Sequence, residues 1–151
     1  VGAIMDDFFV KEKPPFTPEQ IEEIKERFNK NEIELWTVLY QHQLNLPIKE
    51  YLEKFDLITY WIWKSEDINK IEGCFEKFCD IVPEKRKALG IYMWDYGNGK
   101  EMPIDLFIKE VGIGLKYLNE EKIEGIIFLA SCIVDLGLPI VEWVRKWITS
   151  L

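Results

Sequence analysis

Gly2-Ala3-Ile4-Met5-Asp6-Asp7, at the start of the chain, and Gly90-Ile91-Tyr92-Met93-Trp94-Asp95, further along, share one pattern: a short apolar run that ends in aspartate. Runs of this length and make-up read as strands, and each is followed by a helix pattern. Strand patterns begin near residues 1, 33, 57, 89 and 123, so the chain reads as about five βα units. Strands are expected from Gly2 to Asp7, Ile33 to Gln41, Leu57 to Lys64, Leu89 to Asp95 and Gly125 to Ser131. The connections are too long for hairpins and suit helical crossovers, which makes the sheet parallel.

The helices carry their own signals. Thr17-Pro18-Glu19-Gln20 supplies an N-cap, a proline at the first helical position and a capping-box glutamine, ahead of Ile21, Ile24 and Phe28 on one face. Helical spacing recurs after Pro47 (Ile48, Tyr51, Leu52, Phe55) and after Ser65 (Ile68, Ile71, Phe75, Phe78, Val82). It returns after Pro103 (Phe107, Val111, Leu115, Leu118) and after Pro139 (Ile140, Trp143, Val144, Trp147, Ile148). Each helix shows one apolar stripe and a charged outer face.

Two α/β architectures accommodate five such units: a portion of a (β/α)8 TIM barrel, or a five-stranded doubly wound, flavodoxin-like open sheet. The strands favour the barrel. Central strands of open parallel sheets are apolar on both faces, whereas Thr37, Gln41, Thr59, Trp61, Trp63, Tyr92 and Trp94 place polar or bulky groups at alternate positions. No glycine-rich GxGxxG or GxxxxGK loop follows the first strand. Val1 already falls inside a strand pattern, as it would if earlier units of a barrel preceded it.

With 151 residues, 48% hydrophobic and 30% charged, residues 1–151 are expected to form a single α/β domain or a barrel fragment. No run approaches the roughly 20 apolar residues of a membrane span, and nothing resembles a signal peptide, so a soluble, non-membrane protein is expected with its localisation left open. A net charge of −8 with scattered Lys and Arg opposes binding to nucleic acid. Cys74, Cys79 and Cys132 form neither a CxxC pair nor an even set and read as buried thiols. His42 is the sole histidine, which excludes histidine-rich metal sites; an all-carboxylate magnesium site stays open, and no cofactor is implied.

Parallel α/β folds build active sites where the carboxyl ends of strands meet the following loops, so Asp6, Asp7 and Asp95 are candidates for one site. Asp6-Asp7 is similar to the acidic pair of phospho-receiver domains. Those domains also need an Asp ending the third strand and a Lys ending the fifth, where this chain has Trp63-Lys64 and Ala130-Ser131-Cys132. As the last five units of an eight-unit barrel, the first strand here becomes the fourth and the strand ending in Asp95 the seventh. That layout resembles glycoside hydrolases of the βα-barrel type, which place the general acid/base after the fourth strand and the nucleophile after the seventh. The largest clan of these enzymes uses Glu at both positions with Asn before the first, where this chain has Asp6-Asp7 and Trp94-Asp95. The resemblance implies a two-carboxylate glycoside hydrolase with Asp7 and Asp95 as its catalytic pair.

Glycosidic cleavage needs one carboxyl protonated and the other ionised. Asp7, amid Met5, Phe8 and Phe9, has the more apolar neighbours and takes the acid role; Asp95 takes the nucleophile or base role, and Asp6 orients substrate. The alternative for each is structural: a loop anchor or N-cap at Asp6-Asp7, and at Asp95 a turn residue opening Tyr96-Gly97-Asn98-Gly99. Aromatic rings stack on the flat apolar faces of sugars and amides bond their hydroxyls, so Tyr40, Gln41, His42, Trp61, Trp63, Tyr92, Trp94 and Tyr96 complete a carbohydrate-binding set. Lys64, at the end of the expected third strand, also opens a Schiff-base aldolase reading, although Ser65-Glu66-Asp67 opposes the depressed pKa an imine-forming lysine needs. Ser131 lacks a GxSxG elbow. A non-catalytic glycan-binding or structural barrel segment is the remaining alternative. A five-strand segment leaves two sheet edges open, so a missing barrel half or self-association is expected to cover them.

Overall fold

The computed structural model describes residues 1–9, 14–131 and 133–150, so Cys132 lies outside the described residues. In chain order the elements are β1 (Gly2–Met5), α1 (Pro18–Asn29), β2 (Glu34–Tyr40), α2 (Lys49–Leu52), β3 (Leu57–Trp61), α3 (Ile71–Ile81), β4 (Arg86–Tyr92), β5 (Trp94–Asp95), β6 (Lys100–Glu101), α4 (Ile104–Asn119), β7 (Gly125–Leu129) and α5 (Pro139–Ile148). Single 3-10 turns follow β2 (Gln41–Gln43) and precede α3 (Ser65–Lys70).

Five strands form one parallel sheet in the order β1-β2-β3-β4-β7. Every crossover therefore steps to the next position in the same direction. A doubly wound sheet reverses direction once, at its switch point, and no reversal occurs here, which excludes the open-sheet alternative. The sheet curls as a partial (β/α)8 barrel with its helices outside.

Register separates the two faces. Tyr60 meets Phe75 and Phe78 of α3, and Phe128 meets Phe107 of α4 and Trp147 of α5, so these residues lie on the outer, helix-covered face. Trp143 stacks on Trp147 and reaches Phe107, as its helical spacing predicts. Alternate residues line the inner face, where Trp36 and Trp61 need unusual room. They find it over Gly2 and Gly90: a Cβ at either glycine would sit 2.4 Å from the Trp36 ring or 2.0 Å from the Trp61 ring. Each indole N–H bonds a side chain two residues earlier on its own strand, Glu34 Oε2 for Trp36 and Thr59 Oγ1 for Trp61, both at 2.8 Å.

The sequence signals of α1 are realised. Thr17 Oγ1 accepts from Gln20 N at 3.4 Å, Gln20 Oε1 accepts from Thr17 N at 2.9 Å, and Pro18 opens the helix. After Pro47 the expected helix shortens to Lys49–Leu52, yet Ile48, Leu52 and Phe55 are still buried. Within the helix-covered layer, Glu110 of α4 is 1% exposed; its Oε1 and the Tyr60 hydroxyl are buried without hydrogen-bond partners among the described residues. Burial alone pushes the Glu110 carboxyl well above the usual carboxylate range.

The strands stop short of several expected ends. β1 closes at Met5 and β3 at Trp61, so Asp6-Asp7 and Trp63-Lys64 belong to the following loops. β4 ends at Tyr92; Trp94 and Asp95 leave the main sheet and pair antiparallel with Glu101 and Lys100 in a small ribbon. This ribbon follows from turn chemistry that the strand reading absorbed: Asn98 and a left-handed Gly99 (φ 62°) reverse the chain. The sheet edges differ from its centre, because every residue of β3 is buried while Ile4 on β1 is 44% exposed and all of β7 is half-buried.

At the amino end of the sheet, charges are spent on holding the strands. The Arg86 guanidinium donates to both Glu124 oxygens at 2.7–2.9 Å and to Glu34 Oε1 at 2.5 Å. Lys85 Nζ donates to the Glu53 and Phe55 carbonyls at 2.5 and 2.8 Å, and Lys87 Nζ donates to the Pro83 and Lys85 carbonyls at 3.2 and 2.6 Å. Burial lowers the pKa of both lysines.

Candidate functional site

The opposite, carboxyl end holds two adjoining cavities that share Asp7, Tyr40 and Trp63. One, of about 310 Å³, adds His42. The other, of about 200 Å³, adds Asp6, Tyr92, Tyr96 and Leu129. Each residue comes from the end of a strand or the loop just beyond it, where strand pairing fixes the backbone.

Asp6 and Asp7 are brought together by Tyr40. Its hydroxyl lies 3.3 Å from Asp6 Oδ1 and 3.1 Å from Asp7 Oδ1, and the Asp7 amide donates to Asp6 Oδ1 at 2.8 Å. Asp7 takes a left-handed backbone (φ 51°), one that Asp and Asn tolerate better than most residues. Its own side chain is exposed, whereas Phe8 and Phe9 turn into the core beside Tyr51 and Phe55. The apolar neighbours that assigned Asp7 the acid role therefore do not surround its carboxyl.

Tyr40 is fixed from both sides. Its backbone N–H donates to Gln43 Oε1 at 2.9 Å, and its ring stacks parallel on His42, 5.5 Å away and 6° from coplanar. Burial is the largest of the effects raising its pKa, followed by contact with the Tyr92 hydroxyl and by Asp6 and Asp7. Burial likewise pushes Tyr92 up to about 12, so both phenols stay protonated as donors. His42 is lowered by desolvation, against the pull of Asp67, and stays neutral near pH 7.

Trp63 is, with Tyr40, a wall common to both cavities. Its ring meets Tyr40 and Tyr92 edge-on at 5.4 and 6.0 Å and lies nearly parallel to Tyr96 at 6.0 Å. Gly97 holds it there: its N–H donates to the Trp63 carbonyl at 2.9 Å, and a Cβ at residue 97 would fall 2.6 Å from that oxygen. The ribbon thus presses against the loop after β3.

Asp95 secures that contact. It is 0% exposed; Ser65 Oγ donates to Oδ2 at 2.6 Å, Asn98 Nδ2 to Oδ2 at 2.9 Å, and the Asn98 amide to Oδ1 at 3.2 Å. Desolvation raises its pKa, but the Asn98 and Ser65 hydrogen bonds together outweigh it and hold the carboxyl below its usual value. Neither cavity counts Asp95 among its lining residues.

Of the residues expected to bind substrate, the structure gathers Asp6, Tyr40, His42, Trp63, Tyr92 and Tyr96 around Asp7. It does not bring in the other four. Gln41 contacts Cys74 Sγ at 3.7 Å; Trp61 is buried beneath Tyr92, 4.7 Å from its ring; Trp94 belongs to the ribbon; and Lys64 is exposed beside Gly97. Lys64 therefore has none of the burial that activates an imine-forming lysine. Leu129 and Ser65 were not anticipated, whereas Asn98 belongs to the turn that Asp95 was expected to open. Leu129 aligns with Tyr92 in the strand register, which is the one signal that would have placed it at the mouth.

Among the described residues, no group of three or more His, Cys, Asp and Glu side chains could hold a metal ion, and no helix is long and apolar enough to cross a membrane.

No protein-family model matches the sequence, and no curated protein matches it either. By structure, the chain is similar to a glycoside hydrolase family 17 β-1,3-glucanosyltransferase from Rhizomucor miehei, with a TM-score of 0.51 and 10% identity. The match covers 76% of this chain and 47% of that one, so the chain spans about half of that structure's length. At this identity the likeness is one of fold: the chain resembles a portion of a glycoside-hydrolase-like (β/α)8 barrel.

Proposed function

We propose that the carboxyl-end cleft binds carbohydrate and that the chain is part of a carbohydrate-active barrel. One observation carries this reading: Asp7 sits between two adjoining cavities walled by Tyr40, Trp63, Tyr92 and Tyr96. Aromatic faces cover the apolar faces of pyranose rings, while carboxylates and phenols bond their hydroxyls. The fold likeness to a β-1,3-glucanosyltransferase supports it and suggests β-1,3-linked gluco-oligosaccharides as the first probes.

The finer proposal is glycoside hydrolysis in which Asp7, a carboxyl exposed in the cleft, is one of the catalytic pair. Asp95 serves in this reading by holding the loops that carry Trp63 and Tyr96, since both of its oxygens already accept protein hydrogen bonds. Two carboxyls are needed for the reaction; within the cleft the second is Asp6.

Calorimetric titration with gluco-oligosaccharides, beside turnover of an aryl-glycoside panel, tests both levels. Binding is expected for the wild type. Turnover is expected to fall by about 10²- to 10⁴-fold in Asp7→Asn, while Asp95→Asn loses thermal stability first. Binding without turnover leaves a glycan-binding module and removes the hydrolase; no binding to any carbohydrate removes the whole reading.

A further inference from the structure

The charge balance of the cleft narrows the class of sugar. Tyr40 has one hydroxyl proton, and both Asp6 Oδ1 and Asp7 Oδ1 lie within its reach, so it satisfies one carboxylate at a time. Among the described residues neither cavity has a Lys or Arg in its lining, and its histidine is held towards the neutral form. Tyr40, Trp63, Tyr92 and Tyr96 cluster along the walls with neighbouring ring centroids 4.9–6.0 Å apart, and an aromatic face turned to a ligand attracts a cation. Across the whole chain the net charge of −8 adds a long-range field of matching sign.

Carboxylates combined with aromatic faces form the environment that recognises ammonium groups. Resting on the carbohydrate reading above, we infer that the cleft selects a sugar bearing a free amine, an unacetylated amino sugar, over its neutral counterpart, and rejects uronic acids and other anionic sugars. The ammonium group sits between the exposed Asp6-Asp7 pair and the Trp63 and Tyr92 rings. Rejection of anions needs no further device, since like charges in one cleft repel and no basic side chain among the described lining residues offsets them.

Calorimetric titration with three probes tests this: a glucosamine tetrasaccharide, the matching glucose tetrasaccharide and a glucuronic acid tetrasaccharide, at mildly acidic pH and at low and high salt. The amino sugar is expected to bind about tenfold more tightly than the neutral one, and the uronic acid not measurably. The advantage should shrink with added salt, because the site is open to solvent. Asp6→Asn/Asp7→Asn should lower amino-sugar affinity more than neutral-sugar affinity and so bring the two together, since Asn is well tolerated in the left-handed backbone at residue 7 and its amide oxygen still accepts from Tyr40. A melting curve confirms that this variant folds, and the salt dependence of the wild type decides the matter without it. Neutral binding equal to or tighter than amino-sugar binding overturns the inference and leaves the carbohydrate reading standing, as does an advantage that survives in the double variant. Silence with all three probes overturns both.

Discussion

The two ends of the sheet spend their charges differently. At the amino end, Arg86 pairs with Glu34 and Glu124, while Lys85 and Lys87 cap backbone carbonyls. These three basic groups border a cavity of about 510 Å³, yet the hydrogen bonds they make are to the protein itself. At the carboxyl end, Asp6 and Asp7 share one phenol and face open cavities. The difference teaches where a ligand is expected: βα barrels place function at the carboxyl end and stability at the amino end. Asp95 is the instructive mixture, a carboxyl-end residue whose surroundings are of the amino-end kind, fully buried and hydrogen-bonded by protein donors.

The contrast breaks most completely if the sheet that supports both ends is disturbed. Gly90→Val forces a side chain into the Trp61 ring and is expected to cost about 3 kcal/mol or more, lowering the melting temperature and abolishing ligand binding together. Trp63→Ala should act on one end only. A loss of about 2 kcal/mol in sugar binding, roughly thirtyfold in Kd by titration, is expected with a smaller change in melting temperature. Equal damage to both would make Trp63 a core residue and weaken the functional contrast.

Asp95→Asn sharpens the mixed case. Removing charge-assisted hydrogen bonds from Ser65 and Asn98 is expected to cost about 2 kcal/mol of stability at neutral pH. The folded-state pKa of Asp95 lies below its ordinary value of 3.8, so its contribution is complete above that value and is lost as pH falls through the folded value. Acid unfolding followed by circular dichroism should therefore show a flatter low-pH limb in Asp95→Asn than in the wild type. At the amino end, Arg86→Met changes exposed ion pairs and should cost no more than about 1 kcal/mol, with sugar affinity unchanged. A shift in affinity there would couple the two ends.

The alternation of strand and helix patterns was readable from sequence because each unit buries one face, and burial imposes a period: two for the strands, about 3.6 for the helices. Thr17 and Gln20 were readable as a cap because four consecutive residues suffice to make one. The fate of Asp95 was not, since its partner Ser65 stands thirty positions away and becomes a neighbour only when β3 and β4 pair. The same limit applies to Leu129, brought to Tyr92 by register, and to Trp61, which lies on the inner face but is covered by Tyr92. Sequence parity assigns a face; it does not say which ring of a stack is outermost. Glu110 shows the reverse failure, a charged residue amid the α4 pattern that reads as solvent-facing and is buried.

The placement of Trp63 has an optical consequence. Of the six tryptophans, Trp63 lines both cavities; Trp36 and Trp61 fit over glycines on the inner face, Trp94 stands in the ribbon, and Trp143 and Trp147 stack between helices. Occupation of the cleft therefore changes the surroundings of one indole in six, while Tyr40, Tyr92 and Tyr96 lie near enough to pass it excitation energy. The molecule carries its own fluorophore at the site, and difference emission spectra can report occupancy without a label.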